Sequence, residues 1–279
     1  MTIANFVPTV WAASVLKNLN DAHVYAGRCN NDYEGDVRSF GDTVKINSIG
    51  RITVSDYTRN STISAPETLV GSQQILTIDS AKYFNFEIDN IDKWQAKPKL
   101  MGDATTEAAW AMSDAVDTYV AALMNAAVPA ANLRTAATVG TGATDADMYE
   151  VLVDLDTILT TNNVPRNGNR WVVIAPGHEG LLRKDPRFVS FGTSDNRSTL
   201  RSSPITQVSG FDVYVSNNVP SGTDILAGYN GAVTFAEQID QMVAFQPQDT
   251  FSDALKGLHV FGGTVTRPYG LAKVVATLA

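Results

Sequence analysis

Between Pro98 and Pro129 the apolar residues recur every three or four positions. They are Met101, Ala104, Ala108, Ala111, Ala115, Tyr119, Ala122 and Ala126, with a second row at Met112, Val116, Val120 and Leu123. Asp103, Glu107, Asp114, Asp117, Thr118 and Asn125 fall on the other side. This spacing predicts one amphipathic helix over 98–127. Pro98 suits its first turn, where a missing N–H costs nothing, and Asp103 and Glu107 favour the helix dipole. At 1.5 Å per residue it is a beam of roughly 40 to 45 Å, longer than most globular helices.

Upstream the period is two. In GDTVKINSIGRITVSDY, Val44 and Ile46 alternate with Lys45 and Asn47, then Ile52 and Val54 with Arg51 and Thr53. Residues 55–68 are polar, contain Pro66, and read as a loop tip. Two strands return, one placing Leu76 and Ile78 on one face, the other Phe84, Phe86 and Ile88. An extended excursion over 41–89 buries too little to stand alone and must lie along this chain or another copy. Before it, residues 1–36 form an arm with a short helix over 9–20, and Phe6 and Trp11 need a surface from elsewhere.

Downstream, Asn132–Thr144 is a Thr/Gly/Ala connector. Asp145 caps a helix running to Thr161, with Met148, Val151, Leu152, Leu155 and Leu159 on one side. Arg170-WVVIA suits a buried central strand. GHEGLLRKDPRF gives a short helix stopped near Pro186, and 189–206 a Ser/Thr/Arg loop. Strands follow at 210–220, 225–229, 232–236 and 242–245, then a β tail broken at Gly262-Gly263 and Pro268-Tyr269-Gly270. The whole reads as α+β.

A net charge of −8 argues against nucleic-acid binding driven by overall charge. The basic clusters Arg183, Lys184 and Arg187, and Arg197 with Arg201, suit solvated faces or subunit contacts. One cysteine, Cys29, excludes an intrachain disulfide and reads as a small buried hydrophobe. There is no 18-residue apolar run and no basic, uninterrupted signal-peptide start, so no membrane partner and a cytoplasmic site of synthesis are expected. His23, His178 and His259 lie in separate segments without metal-ligand spacing. Gly140 and Gly142 lack the third glycine of a dinucleotide loop. Asp154 and Asp156 read as helix-surface charge. No catalytic residue, cofactor or metal site emerges, and a non-enzyme is expected.

Several stretches, in order, resemble the major capsid protein of tailed bacteriophages, with the Hong Kong 97-like fold, and particularly the Salmonella-phage coat group. GDTVKI through VSDY matches the start of that family's extended E-loop. LTIDSAKYFNFEIDNID, then the helix with Ser113-Asp114-Ala115-Val116-Asp117, matches the run into its spine helix. VPRNGNRWVVIAPGHEGLLRKDPRF and VSGFDVYVSNNVP match its axial (A) domain, and GLHVFGGTVTRPYGLAKV its C-terminal β segment.

The resemblance implies an N-arm at 1–36 and an E-loop at 37–93. It implies a peripheral (P) domain from 94–144 and 236–269 with spine helix 98–127, and an A-domain from 145–235 and 270–279. The implied function is a structural subunit assembling with itself into hexamers and pentamers of an icosahedral shell around double-stranded DNA. Subunit contacts are expected at Phe6, Trp11, Arg51, Tyr57, Arg59, Asn60, Arg183, Arg187, Arg197 and Arg201. The expected partners are a separate scaffolding protein, a portal and a decoration protein, and the place is the virion, assembled in the host bacterial cytoplasm. Residues 55–68 contain no lysine, so the shell crosslink that some relatives form through an E-loop lysine is not expected. An encapsulin-like compartment, a tail-tube subunit and, from another class, a soluble α/β enzyme using His178 or Asp154 are the alternative readings.

Overall fold

A computed structural model describes residues 23–33, 41–49, 54–60, 62, 65, 71–89, 100–142, 144–166, 169–185 and 207–279, with backbone alone at 47–49, 71–72, 89, 100–102 and 240. The expected arm helix over 9–20 and the loop over 189–206 lie outside these residues.

The long helix α1 spans Leu100–Ala127, 28 residues unbroken through Gly102, about 42 Å of rise. Its buried face is Ala109, Met112, Ser113, Val116, Asp117, Val120, Ala121 and Met124. The expected second row of larger side chains is therefore the core row. The first alanine row lies on the flank, with Ala111, Ala122 and Ala126 exposed. The register differs because Asp117, assigned to the polar side, is buried with its charge satisfied, as described below.

Two sheets pack against this helix, and a two-stranded hairpin packs on one of them. Strands β1 (Thr43–Ile49) and β2 (Gly71–Thr77) form an antiparallel hairpin with Thr43 opposite Thr77 and Ile49 opposite Gly71. Strands β3 (Ser80–Asp89), β10 (Ser252–Val265) and β9 (Val233–Phe245) form a three-stranded antiparallel sheet in the order β3-β10-β9. The expected strands at 232–236 and 242–245 are thus one strand. Likewise Gly262-Gly263 does not break β10. A Cβ at Gly262 would stand 2.2 Å from the Thr77 carbonyl oxygen and 2.9 Å from Ile78 Cα. Glycine there lets the hairpin's exit cross closely over the sheet. Ile46, Leu76 and Ile78 bury against Ala236 and Val260 at that crossing.

The third sheet has six strands in the order β4-β11-β8-β5-β7-β6: β4 Leu133–Val139, β5 Arg170–Ile174, β6 Gln207–Val208, β7 Phe211–Val215, β8 Asp224–Tyr229 and β11 Leu271–Leu278. The segment read as a connector is therefore partly a strand. Its small, Thr-rich residues pair in parallel with β11 at the sheet edge. Strand β5 is buried throughout, as its apolar run predicts. Val172 and Ile174 face helices α2 (Met148–Thr161) and α3 (Pro176–Lys184), while Trp171 and Val173 face α1. Helices on both faces explain an uninterrupted apolar strand. Helix α2 starts two residues later than expected. Asp147, not Asp145, caps it by accepting the Tyr149 N–H at 2.9 Å.

Candidate functional site

The outward surface carries large apolar groups with no cover from the described chain. Beyond β1 the backbone runs through 54–60, where Val54 is 93% and Tyr57 71% exposed. Arg59 and Asn60 make the turn that follows, and Asn60 takes a φ of 64°, a left-handed conformation that asparagine tolerates. Tyr57, Arg59 and Asn60 therefore share one tip. Arg183 sits elsewhere, on the last turn of α3, paired with Glu179 one turn back. Phe6, Trp11, Arg51, Arg187, Arg197 and Arg201 lie outside the described residues. The structure adds exposed groups that sequence reading missed: Tyr83 on β3, Trp110 on α1, and Phe251, 90% exposed in the β9–β10 turn. An aromatic inside the polar run QPQDTFSD is the signal that marked Phe251.

A second site is buried, where residues 23–30 cross α1. Asp117 accepts three backbone N–H groups, from Val24 at 2.8 Å and from Tyr25 and Ala26 at 3.1 Å each. A helix carboxylate thus caps the short turn Ala26–Arg28 from outside. Asn30 then bridges β9, donating to the Val233 carbonyl at 2.8 Å and accepting from the Phe235 N–H at 3.1 Å. Cys29 is buried here, and burial pushes its thiol well above the ordinary range.

Beside Asp117, two histidines distant in sequence meet one carboxylate. Glu237 Oε2 lies 3.3 Å from His23 Nε2 and 3.2 Å from His259 Nε2. His23 Nδ1 is 3.0 Å from Ser113 Oγ and 3.7 Å from Asp117 Oδ1. Burial opposes charge on His23, but Asp117 and Glu237 outweigh it and hold the imidazole up to about 9. Burial would likewise raise Glu237, yet His23 and His259 hold it at about 2. Among the described residues no group of three or more His, Cys, Asp or Glu is placed to hold a metal.

The remaining polar features have structural explanations. His178 is buried, and its Nε2–H donates to the Ala276 carbonyl at 2.9 Å; burial lowers its affinity for a proton. Asp154 pairs at the surface with Arg134. Asp156 is not surface charge as expected. It is buried and binds buried Arg170, with Arg166 at 2.5 Å on its other oxygen. Between Gly140 and Gly142 the space is filled by the Asp145 carboxylate, which accepts the Gly142 N–H at 2.8 Å. A carboxylate in that position repels a phosphate.

Residues 74–274 match the family model described as phage capsid protein. A search of curated proteins found no match. Among solved structures, one from Mycobacterium phage Che8 is 25% identical, with 90% of each chain covered and a TM-score of 0.68. The capsid structure of Cyanophage P-SCSP1u is 15% identical over 87% of this chain and 85% of that one, also at a TM-score of 0.68. A virus-like particle from Pyrococcus furiosus shares the fold at 11% identity and a TM-score of 0.55, covering 95% and 98%. The long helix, the crossing hairpin, the exposed apolar groups and these likenesses converge. The chain belongs to the phage capsid protein family: it is a major capsid protein with the Hong Kong 97-like fold, a virion subunit that assembles with copies of itself into an icosahedral shell.

Proposed function

We propose that the subunit works without catalysis, as a tile whose hairpin tip lies on a neighbour. The observation that carries this is the exposure of Val54 and Tyr57 on a hairpin anchored at its base by Ile46, Leu76 and Ile78. A hairpin rooted in the core that exposes two large apolar side chains at its tip is suited to a partner surface. Arg51, Arg59 and Asn60 flank the contact, Arg183, Arg187, Arg197 and Arg201 serve contacts of the other lobe, and Phe6 and Trp11 reach a neighbour through the arm.

In this reading the six-stranded sheet with α2 and α3 is the axial lobe, and α1 with the three-stranded sheet the peripheral lobe. The pairing of β4 with β11 supports grouping Leu133–Val139 with the axial lobe, and so a boundary before Leu133 where the resemblance implied one after Thr144. A separate scaffolding protein, a portal and a decoration protein complete the assembly, which takes place in the host cytoplasm around double-stranded DNA held without sequence-specific contacts. No lysine crosslink forms at the tip. Many modest contacts repeated under closed symmetry suffice for a stable shell.

The test is a Val54→Ser/Tyr57→Ser double variant. Its unfolding stability should stay within about 0.5 kcal/mol of the parent, since neither side chain is buried in the subunit. Its yield of sedimenting shells should fall sharply. Shells formed at parental yield would count against a tip contact.

A further inference from the structure

The buried cluster at the base of the arm contains more charge than a packing role requires. Four side chains meet there from four segments: His23 from residues 23–30, Asp117 from α1, Glu237 from β9 and His259 from β10. His259 lies opposite Ile239 in the ladder, which places it diagonal to Glu237, beside a bulge between Leu258 and His259. Neither Nε2 atom nor Glu237 Oε2 has hydrogen-bond geometry to a partner, although all three are buried and within 3.3 Å. The attraction between His23 and Glu237 is therefore mainly electrostatic, in a medium where charge is weakly screened.

We propose that this cluster is a proton-operated latch: with His23 charged, residues 23–30 are clamped to α1 and β9, and loss of that proton loosens them while the rest of the subunit stays folded. Among the described residues, Asp117 and Ser113 from α1 and Glu237 from β9 lie against His23, His259 from β10 meets the same Glu237 oxygen, and Tyr25 and Cys29 are the buried titratable groups of its own segment. Arg28 offers no substitute charge. It donates to the Tyr214 hydroxyl at 2.8 Å and lies over that ring at 4.4 Å. Deprotonation thus removes a positive charge from between two buried carboxylates.

The direction in pH follows from the groups themselves. His23 is held up from 6.5 to about 9. Its contribution is complete below about 6.5 and is lost as pH rises through about 9. Glu237 is held down from 4.5 to about 2, so its contribution is complete above about 4.5 and is lost as pH falls towards 2. The clamp is firmest in mildly acidic solution and loosens on the alkaline side. All four groups belong to one subunit, so the inference stands apart from the shell contacts proposed above.

Cys29, the single cysteine, is buried within the clamped segment and reports its release. The full chain would be labelled with a maleimide at pH 6.0 and 9.5, each rate divided by that of the urea-unfolded chain at the same pH. The latch predicts that protection of Cys29 falls at least about tenfold at the higher pH, with unchanged far-UV circular dichroism. Glu237→Gln and His23→Gln should label readily at pH 6.0 and show no further fall. Protection that is equal at the two pH values, a parallel loss of helix signal, or a wild-type pH profile in a folded variant would each overturn the proposal. If both variants fail to fold, the wild-type profile alone decides.

Discussion

Asp117 and Asp156 are both helix carboxylates withdrawn from water, by different means. Asp117 is paired with backbone N–H groups, and Asp156 with the guanidinium of Arg170, which also donates to the Val164 and Pro165 carbonyls. Removing one member of a buried pair leaves the other charge stranded. Asp156→Ala should therefore cost about 3–5 kcal/mol, readable as a shifted urea midpoint with unchanged slope. Glycines give a second residue-level contrast. Gly262→Ala drives a methyl into the backbone at Thr77 and should cost about 1–3 kcal/mol. Gly180→Ala, within α3 and with nothing inside 4 Å, should be neutral or stabilising by about 0.4–1 kcal/mol. Equal losses from the two in thermal unfolding would contradict the close crossing at Gly262.

At the scale of elements, legibility followed periodicity. Helix α1, the run of β5 and the buried side of α2 could be read because each repeats one apolar spacing for several turns or residues. The errors arose where a tertiary partner overrides local pattern. Asp117 reads as solvent-facing until residues 24–26 supply three donors 91 to 93 positions away. Gly262-Gly263 reads as a break until Thr77 is seen to need the space. Leu133–Val139 carries no strong strand signal because β11 supplies one ladder along its edge. The His23–Glu237–His259 cluster was illegible for the same reason, since no spacing rule links residues more than 200 positions apart. The hairpin tip was legible as polar and extended, whereas the spacing around Tyr83 and Trp110 gave no sign of their exposure.

At the scale of the molecule, α1 joins two sheets in one core. Val116, Val120 and Met124 pack in one cluster with Trp171, Val173, Leu226 and Leu271 of the six-stranded sheet and with Phe235 and Phe261 of the three-stranded sheet. Asn125 adds a bond to Asp224 at 3.1 Å, and Lys273 pairs with the same carboxylate. The hairpin is rooted on the three-stranded sheet, through Ala236 and Val260. The tip contact proposed above would cover Val54 and Tyr57, and closed symmetry would repeat it at every subunit. The most direct test is electron microscopy of the full chain expressed alone and with the scaffolding protein proposed above. The account predicts hollow closed shells bearing hexameric and pentameric capsomers, uniform in size only when the scaffold is present; rods, or a monomer at every concentration, would contradict it.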